Sequence, residues 1–297
     1  GLFHKMGGRG HTSTALNFGE QGGAEGYLVG EENKGLMYMF HMMNEARIMV
    51  GFSGAVNALA GYQYSLDYAK DRPQGRLPSC KDPLTPPVKI IEHADVKRML
   101  LAQKSYAEAG FALCMFGTQL ADDINTAVSE QRRQYAALLL DTLIPIIKTW
   151  PSEYGCKANS MAIQVLGGAG YVNEHPVEMF YRNNRLNPIH EGTTGIQSLD
   201  LLGRKVVIQQ GAGLTAVVAE IKLTIDLAAN SNRLNDFSIQ LEQAVEVLLA
   251  TTDHLTKGML EKDIDLALAN SVKYLDLFGN IVIAWIWLKL GVAADDG

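Results

Sequence analysis

The sequence predicts a mainly α-helical protein that begins with the end of a β domain. From Gly35 onward, apolar side chains recur at helical spacing over long segments. Residues 1–34 instead contain short, partly alternating stretches between glycine-rich turns, which is typical of strands. We therefore expect three parts: the end of a β domain at 1–34, a helical bundle at 35–205 and an additional helical module at 206–297.

The helices of the bundle follow from their apolar spacing and from the breaks between them. Proline-rich residues 78–87 and the pair Gly167-Gly168 interrupt the helical pattern. Asp95 lies where an acid complements a helix N-terminus. The pattern predicts four long helices, at 35–68, 93–125, 133–148 and 152–164.

Two shorter helices and a helical module are predicted after this point. Pro176 marks one helix start, and Thr193 or Thr194 is the N-cap of another. After Gly211-Ala-Gly213, three amphipathic segments are separated by residues 230–232 and by a break near Gly258. An antiparallel helical hairpin or bundle is predicted from these segments, at 214–229, 236–257 and 262–290.

Composition excludes several classes of protein. The 297 residues are 47% hydrophobic with a net charge of −6, an ordinary soluble profile that disfavours a nucleic-acid partner. Three distant cysteines and no histidine pair at i,i+4 spacing predict neither a disulfide framework nor a metal site. The longest apolar run, Ile281–Leu288, is shorter than the ~20 residues of a membrane span. A buried helix in a cytoplasmic, bacterial protein is the expectation.

Common nucleotide and hydrolase motifs are missing from the sequence. Neither Gly7-Gly-Arg-Gly10 nor Gly167-Gly-Ala-Gly170 fits a dinucleotide-binding fingerprint between a strand and a helix. No P-loop and no nucleophile elbow is present. These absences argue against a Rossmann domain, a P-loop NTPase and an α/β-hydrolase.

Glu191 is the residue on which the functional prediction depends. It lies within Ile189-His-Glu-Gly-Thr-Thr-Gly-Ile-Gln197, which follows the glycine-rich segment Gln164–Tyr171. A carboxylate on a tight turn against an apolar wall suits a general base. The helix dipole here favours the ionised carboxylate, and an acyl chain that excludes water would oppose this effect. Taken alone, Glu191 is more simply an acid at a helix start.

Four motifs in order change that balance. Met43-Asn-Glu-Ala-Arg47, Tyr68-Ala-Lys-Asp-Arg72, Gln164-Val-Leu-Gly-Gly168 and Glu191-Gly-Thr-Thr-Gly-Ile-Gln197 have the order and spacing of the acyl-CoA dehydrogenase family, which the chain resembles over about residues 1–205. Residues 72–76 and 198–206 look like the long bacterial branch that includes 3-methylmercaptopropionyl-CoA dehydrogenases. In that branch a helical module follows, here residues 206–297.

The resemblance implies FAD-dependent α,β-dehydrogenation of an acyl-CoA thioester to a trans-2-enoyl-CoA. It implies that Glu191 is the base and that Asn44, Arg47 and Gly192 contact the substrate; Asn44 replaces a common aspartate, and Arg47 could equally be an ordinary ion-paired helix residue. Glu45 competes as base but lies one position from the family's alternative site, which turns its side chain by about 100°. The residues implied to bind FAD are Arg72, Gln74, Gln164, Gly167, Gly168, Thr193, Thr194 and Gly195.

The resemblance also implies partners and limits. It implies a homodimer or tetramer and an electron-transfer flavoprotein as electron acceptor. Because both ends look cut and most of the β domain is missing, we expect this chain alone to bind FAD weakly or not at all and to be inactive. Two alternatives stay open: a non-catalytic helical scaffold, and a related flavoprotein that oxidises another substrate, such as a nitroalkane.

Overall fold

Three long helices form the centre of the fold. The structure is a computed structural model that describes residues 1–260 and 263–295. Helices α1 (Gly35–Asp71), α2 (Ala94–Thr126) and α3 (Glu130–Leu166) pack against one another along most of their length. Buried leucine, isoleucine and alanine side chains fill the space between them. The mainly α-helical fold predicted from the sequence is confirmed.

Helix α3 is one continuous element where the sequence predicts two. Pro145 and Pro151 both lie inside it, and the predicted break at residues 149–151 does not form. Proline has no N–H, so Pro151 leaves the carbonyl of Ile147 without its usual helical donor. Gly51 of α1 packs directly on this carbonyl, since a Cβ built on Gly51 would lie 2.1 Å from the Ile147 oxygen. Tertiary packing thus keeps a proline-containing segment helical.

Two short helices follow α3 and lead to the module. Helix α4 spans Val177–Asn184 after Pro176, and α5 spans Thr194–Asp200. The Thr193 hydroxyl accepts a hydrogen bond from the Ile196 N–H at 3.3 Å, so Thr193 rather than Thr194 is the N-cap of the two that the sequence predicts. A π-helical turn at Leu201–Lys205 extends α5.

The module packs on the bundle through a shared apolar core. It contains α6 (Ala212–Ala228), α7 (Asn235–Leu260), α8 (Ile264–Leu268) and α9 (Ser271–Asp295). The third predicted segment is therefore divided at residues 269–270, and α7 continues past Gly258. Buried residues of α2, α3, α6, α7 and α9 form one cluster. The division at residue 205 stays a prediction.

Helix α9 is the apolar helix that the sequence predicts to be buried. By length and composition alone it could cross a membrane, with a hydropathy of 1.8. However, Phe278, Val282 and Trp285 are fully buried against the rest of the chain. Burial of this kind is what a core helix of the fold requires.

Residues 1–34 do not form the predicted strands. Within this segment the pairing is limited to an isolated bridge between Leu2 and Thr14. A short strand pair is marginal unless a larger sheet continues it, which explains why the alternating pattern does not produce a strand here. The segment is tied to α4 instead: the Gly8 N–H donates to Asn183 Oδ1 at 2.8 Å, and Arg182 Nη1 donates to the Met6 carbonyl at 2.7 Å.

Candidate functional site

Glu191 lies on a tight turn between α4 and α5. The N–H groups of Ile189 and His190 both donate to the Leu186 carbonyl, and the Thr194 N–H donates to the Pro188 carbonyl. Glu191 has φ +54° and Gly192 has φ +87°. A side-chain-bearing residue in this region costs on the order of 1–3 kcal/mol and is retained where its surroundings hold it.

Two side chains hold the carbonyl groups of this turn. Gln197 Nε2 donates to the Glu191 carbonyl at 2.9 Å, and Lys148 Nζ donates to the Gly192 carbonyl at 2.7 Å. In a trans peptide the N–H points opposite to the C=O. The N–H groups of Gly192 and Thr193 therefore point away from Gln197 and Lys148. Within residues 1–260 and 263–295, these two N–H groups and that of Glu191 have no acceptor.

Lys148 and Arg47 place positive charge beside the turn. Lys148 is fully buried, and this burial lowers the pKa of its amine to about 8, against the opposing effect of Glu153. Arg47 is 9% exposed, and its Nη1 lies 3.9 Å from Asp200 Oδ2. In the part of the chain that the structure describes, Arg47 Nε and Asp200 Oδ2 are buried without a hydrogen-bond partner. Hydrogen-bonding capacity is thus left over where Arg47 of α1 meets Asp200 of α5.

A network of buried asparagine side chains holds the loop that precedes Glu191. Asn184 Nδ2 donates to Asn159 Oδ1 at 2.7 Å, and Asn187 Nδ2 donates to Asn184 Oδ1 at 2.8 Å. The His190 ring nitrogen lies 3.3 Å from Asn187 Oδ1. Burial lowers the pKa of His190, and the charge of Lys148 adds to this effect. The network joins α3, α4 and the residue before Glu191.

Other predicted site residues lie at the start of α5 and on α1. The Thr194 hydroxyl donates to Glu153 Oε1, while Thr193 is exposed and Gly195 is half-buried. On α1, Asn44 is half-buried and Glu45 is exposed. The exposure of Glu45 agrees with its interpretation as a solvated acid.

A second group of predicted residues lies at the far end of the bundle. Arg72 and Gln74 are exposed where α1 ends, and the backbone of residues 72–75 pairs with residues 88–90. Gln164, Gly167 and Gly168 are exposed where α3 ends. Both segments flank one small core that includes Ala69, Ile90 and Leu166.

The two groups are well separated along α3. Lys148, beside the Glu191 turn, and Gln164, at the other end, are sixteen positions apart on α3, which corresponds to roughly 24 Å of helix. The Gly167 N–H donates to the Gln164 carbonyl, so this glycine caps the helix as the sequence suggests. A Cβ at Gly167 or Gly168 would meet no atom within 4 Å, so there is open space beside this turn.

Lys148, Gln197 and the asparagine network were not predicted as functional residues. One signal for Lys148 was present, because it stands in the apolar run Leu143–Trp150. Its target on the Glu191 turn is 44 residues away, and no spacing rule connects the two. Among the described residues, no group of three or more His, Cys, Asp or Glu side chains could hold a metal ion.

Two protein-family models match this chain. Residues 33–206 match "Acyl-CoA dehydrogenase, C-terminal domain", and residues 217–297 match "Acetyl-CoA dehydrogenase C-terminal like". The chain is 38% identical over 298 residues to 3-methylmercaptopropionyl-CoA dehydrogenase of Ruegeria pomeroyi, covering 99% of this chain and 48% of that protein. It is 32% identical to the broad-specificity linear acyl-CoA dehydrogenase FadE5 of Mycobacterium tuberculosis, covering 98% and 49%. The chain spans about half the length of these curated relatives.

Solved structures share the fold at lower sequence identity. Caenorhabditis elegans ACDH-11 in complex with C11-CoA is 17% identical with a TM-score of 0.80, covering 98% of this chain and 46% of that one. An acyl-CoA dehydrogenase from Bacillus anthracis complexed with FAD is 19% identical with a TM-score of 0.70, covering 90% and 45%. These similarities extend over the bundle and the module.

Proposed function

The chain belongs to the acyl-CoA dehydrogenase family, and on that premise we propose that the protein oxidises an acyl-CoA thioester to the trans-2-enoyl-CoA. Glu191 is the proposed base. The observation that carries the proposal is the Glu191 turn, whose two carbonyl groups are held by Gln197 and Lys148. A carboxylate fixed on such a turn, beside N–H groups without acceptors, has the two features that α-proton abstraction from a thioester needs.

The proposed division of work follows from these groups. The Glu191 carboxylate takes the proton from the α-carbon and becomes a carboxylic acid. The Glu191 N–H, which has no acceptor among the described residues, would donate to the thioester oxygen, where negative charge develops. When bound, FAD would accept the hydride from the β-carbon. The chain's own contribution is thus to move one proton and to orient the thioester.

Several exposed groups support FAD as the cofactor. The Arg72 guanidinium is exposed and has no ion pair within the described residues, and its planar fork suits phosphate oxygens. The open space beside Gly167 and Gly168 would allow a ligand to approach the backbone. Thr193 and Gly195 lie at the start of α5, where N–H groups favour an anion. Gln74, Gln164 and Thr194 complete the proposed cofactor residues.

The separation of the two groups supports an oligomer. Residues near Glu191 and residues near Gln164 lie roughly 24 Å apart along α3. We propose that the first group contacts the FAD used by its own Glu191 and that the second contacts the FAD of a neighbouring subunit. A homodimer or tetramer would provide that arrangement, with an electron-transfer flavoprotein as the proposed electron acceptor.

Anaerobic mixing of the full-length protein with a panel of acyl-CoA thioesters tests the base. We expect flavin bleaching with at least one thioester. Glu191→Gln should slow this bleaching by about 10²- to 10⁴-fold, the usual contribution of a general base. Flavin content, measured by absorbance after denaturation, should stay at the wild-type level.

Glu45→Gln is the matched control, because Glu45 is an exposed acid on α1. It should bleach at the wild-type rate. If Glu45→Gln greatly slows flavin bleaching and Glu191→Gln hardly slows it, the base is assigned to α1. No bleaching of the wild type with any thioester would instead favour a scaffold or a flavoprotein with another substrate.

A further inference from the structure

We propose that Lys148 is a positioning residue, which holds the Gly192 carbonyl and thereby fixes the turn that presents Glu191 to the substrate. The inference rests on the proposed function of Glu191. It adds a residue on a different helix, outside the motifs by which the family is recognised in this sequence. Lys148 would act through the backbone of the turn rather than by contact with the substrate.

The burial of Lys148 indicates a specific purpose. Its side chain is fully buried on α3, within the apolar run Leu143–Trp150 that also contributes Ile147 to the core. Burying an amine in such surroundings is costly unless a partner compensates. Within the described residues its hydrogen-bond partner is the Gly192 carbonyl, at 2.7 Å, and it forms no ion pair within 4 Å. The amine is therefore directed at the turn.

The charged groups that shift the pKa of Lys148 include Glu191, the candidate base. Glu153 of α3 and Glu191 of the turn favour its charged form, whereas Arg47 of α1 disfavours it. On the loop, burial lowers the pKa of His190; the charge of Lys148 lowers it further, and the charge of Glu191 opposes this effect. Three parts of the structure, α1, α3 and the loop, thus contribute charged or titratable groups around this amine.

The geometry of the turn explains why the contact matters. Glu191 and Gly192 both have positive φ, so the turn would relax if its carbonyl groups lost their donors. Gln197 holds the Glu191 carbonyl from α5, and Lys148 holds the Gly192 carbonyl from α3. Losing the second contact would let the Glu191 carboxylate move relative to the bundle. A displacement of 1 Å in a reacting group can cost about 10² in rate.

Replacement of Lys148 in the full-length protein tests the inference. Lys148→Met keeps the apolar stem and removes the donor, and Lys148→Gln is shorter but polar, so that at least one folded variant lacks the contact. We expect kcat to fall by about 10²-fold in both variants, with KM and flavin content close to wild type. Lys148→Arg retains a donor and should recover part of the lost kcat.

Lys205→Met is the matched control. Lys205 is 2% exposed and pairs with Asp141, so its loss also removes a buried amine but leaves the Glu191 turn untouched. This variant should lose stability while keeping kcat. If Lys205→Met lowers kcat as much as Lys148→Met, the effect is general destabilisation and the inference is wrong.

Hydrogen exchange gives a readout that does not depend on activity. The N–H groups of Thr194 and Gln197 donate to the Pro188 and Thr193 carbonyls, so they report on the order of the turn. We expect their exchange to accelerate in Lys148→Met and to stay unchanged in Lys205→Met. Unchanged exchange in both Lys148→Met and Lys148→Gln would overturn the inference. If the wild type oxidises no acyl-CoA, the proposed function fails, while exchange still decides whether Lys148 holds the turn.

Discussion

At the scale of the residue, the Glu191–Gly192 turn combines backbone strain with side-chain restraint. Positive φ at a glutamate is unfavourable, whereas glycine adopts it freely. The hydrogen bonds from Gln197 and Lys148 offset the cost by holding both carbonyl groups. Strain of this kind is retained where a side chain must be aimed in one direction.

Gly192→Ala should disrupt this turn. A Cβ at residue 192 would lie 2.6 Å from Gln197 Nε2 and would require a side chain at φ +87°. We expect a loss of about 1–3 kcal/mol in the free energy of unfolding, together with slower flavin bleaching by acyl-CoA. Chemical denaturation of the full-length protein measures the first effect.

The control for this prediction is Gly26→Ala. Gly26 has no atom within 4 Å of its Cβ position and no positive φ. Its substitution should leave the free energy of unfolding within experimental scatter. A Gly192→Ala variant as stable as Gly26→Ala would show that the turn does not need glycine.

At the scale of the element, the crossing of α1 and α3 depends on glycine. Gly51 lies against the Ile147 carbonyl, and a Cβ at Gly54 would lie 2.7 Å from the Pro151 carbonyl oxygen. These contacts let the two helices approach closely where Pro151 interrupts the hydrogen bonds of α3. Lys148 lies in this same stretch of α3. The helix crossing therefore also fixes where the Lys148 amine lies relative to the Glu191 turn that it contacts.

Gly51→Ala should push α1 away from α3. Backbone atoms of Ile147 cannot move aside as a flexible side chain would, since the Cβ would lie 2.1 Å from the carbonyl oxygen. Overpacking of this kind typically costs about 1–3 kcal/mol, more than the ~1 kcal/mol that alanine gains over glycine in a helix. Thermal unfolding should show a lower Tm.

Gly258→Ala on α7 provides the comparison. Its Cβ would meet Ala267 Cβ at 3.5 Å, an ordinary contact. Here the helix propensity of alanine should dominate, and Tm should rise or stay constant. A rise in Tm for Gly51→Ala would contradict close packing at the crossing.

At the scale of the whole molecule, the module and the bundle form one hydrophobic core. The Trp285 ring packs edge-on against Phe116 with centroids 5.2 Å apart, and its Nε1 donates to Thr224 Oγ1 at 2.8 Å. Polar contacts join the same parts, including the Ser198–Ser271 hydrogen bond at 3.0 Å. Because Ser198 lies on α5, the module supports the helix that begins three positions after Glu191.

Trp285→Ala should destabilise both parts together. A buried tryptophan replaced by alanine typically costs about 3–5 kcal/mol, and the shared core transmits this loss to the bundle. Fluorescence and circular dichroism should then report one transition at a lower Tm. Trp287→Ala is the control, because Trp287 is only partly buried, and its effect should be smaller. Two separate transitions would show that residues 35–205 and 206–297 are independent domains.

Local pattern predicts much of this architecture because helices are built from short-range contacts. The bounds of α1 and α2 and the N-cap Thr193 follow from apolar spacing and from side chains that bond to nearby N–H groups. The interruption expected at Pro151 is wrong, because α3 continues through this residue. The residue packed against the Ile147 carbonyl here is Gly51, which lies 100 residues before Pro151 in the sequence. Strands expected in residues 1–34 do not form, because a strand needs partners that a local pattern does not provide.

The sequence by itself determined the family, the helical fold and the identity of the candidate base, because motifs such as Glu191-Gly-Thr-Thr-Gly-Ile-Gln197 carry that information in consecutive residues. Only the tertiary structure decided what surrounds the base. Lys148 reaches Gly192 across 44 positions, Arg47 reaches Asp200, and the asparagine network joins α3 to the loop. Such contacts depend on how helices cross in space, and the crossing is set by the sum of packing over the whole core rather than by any single segment.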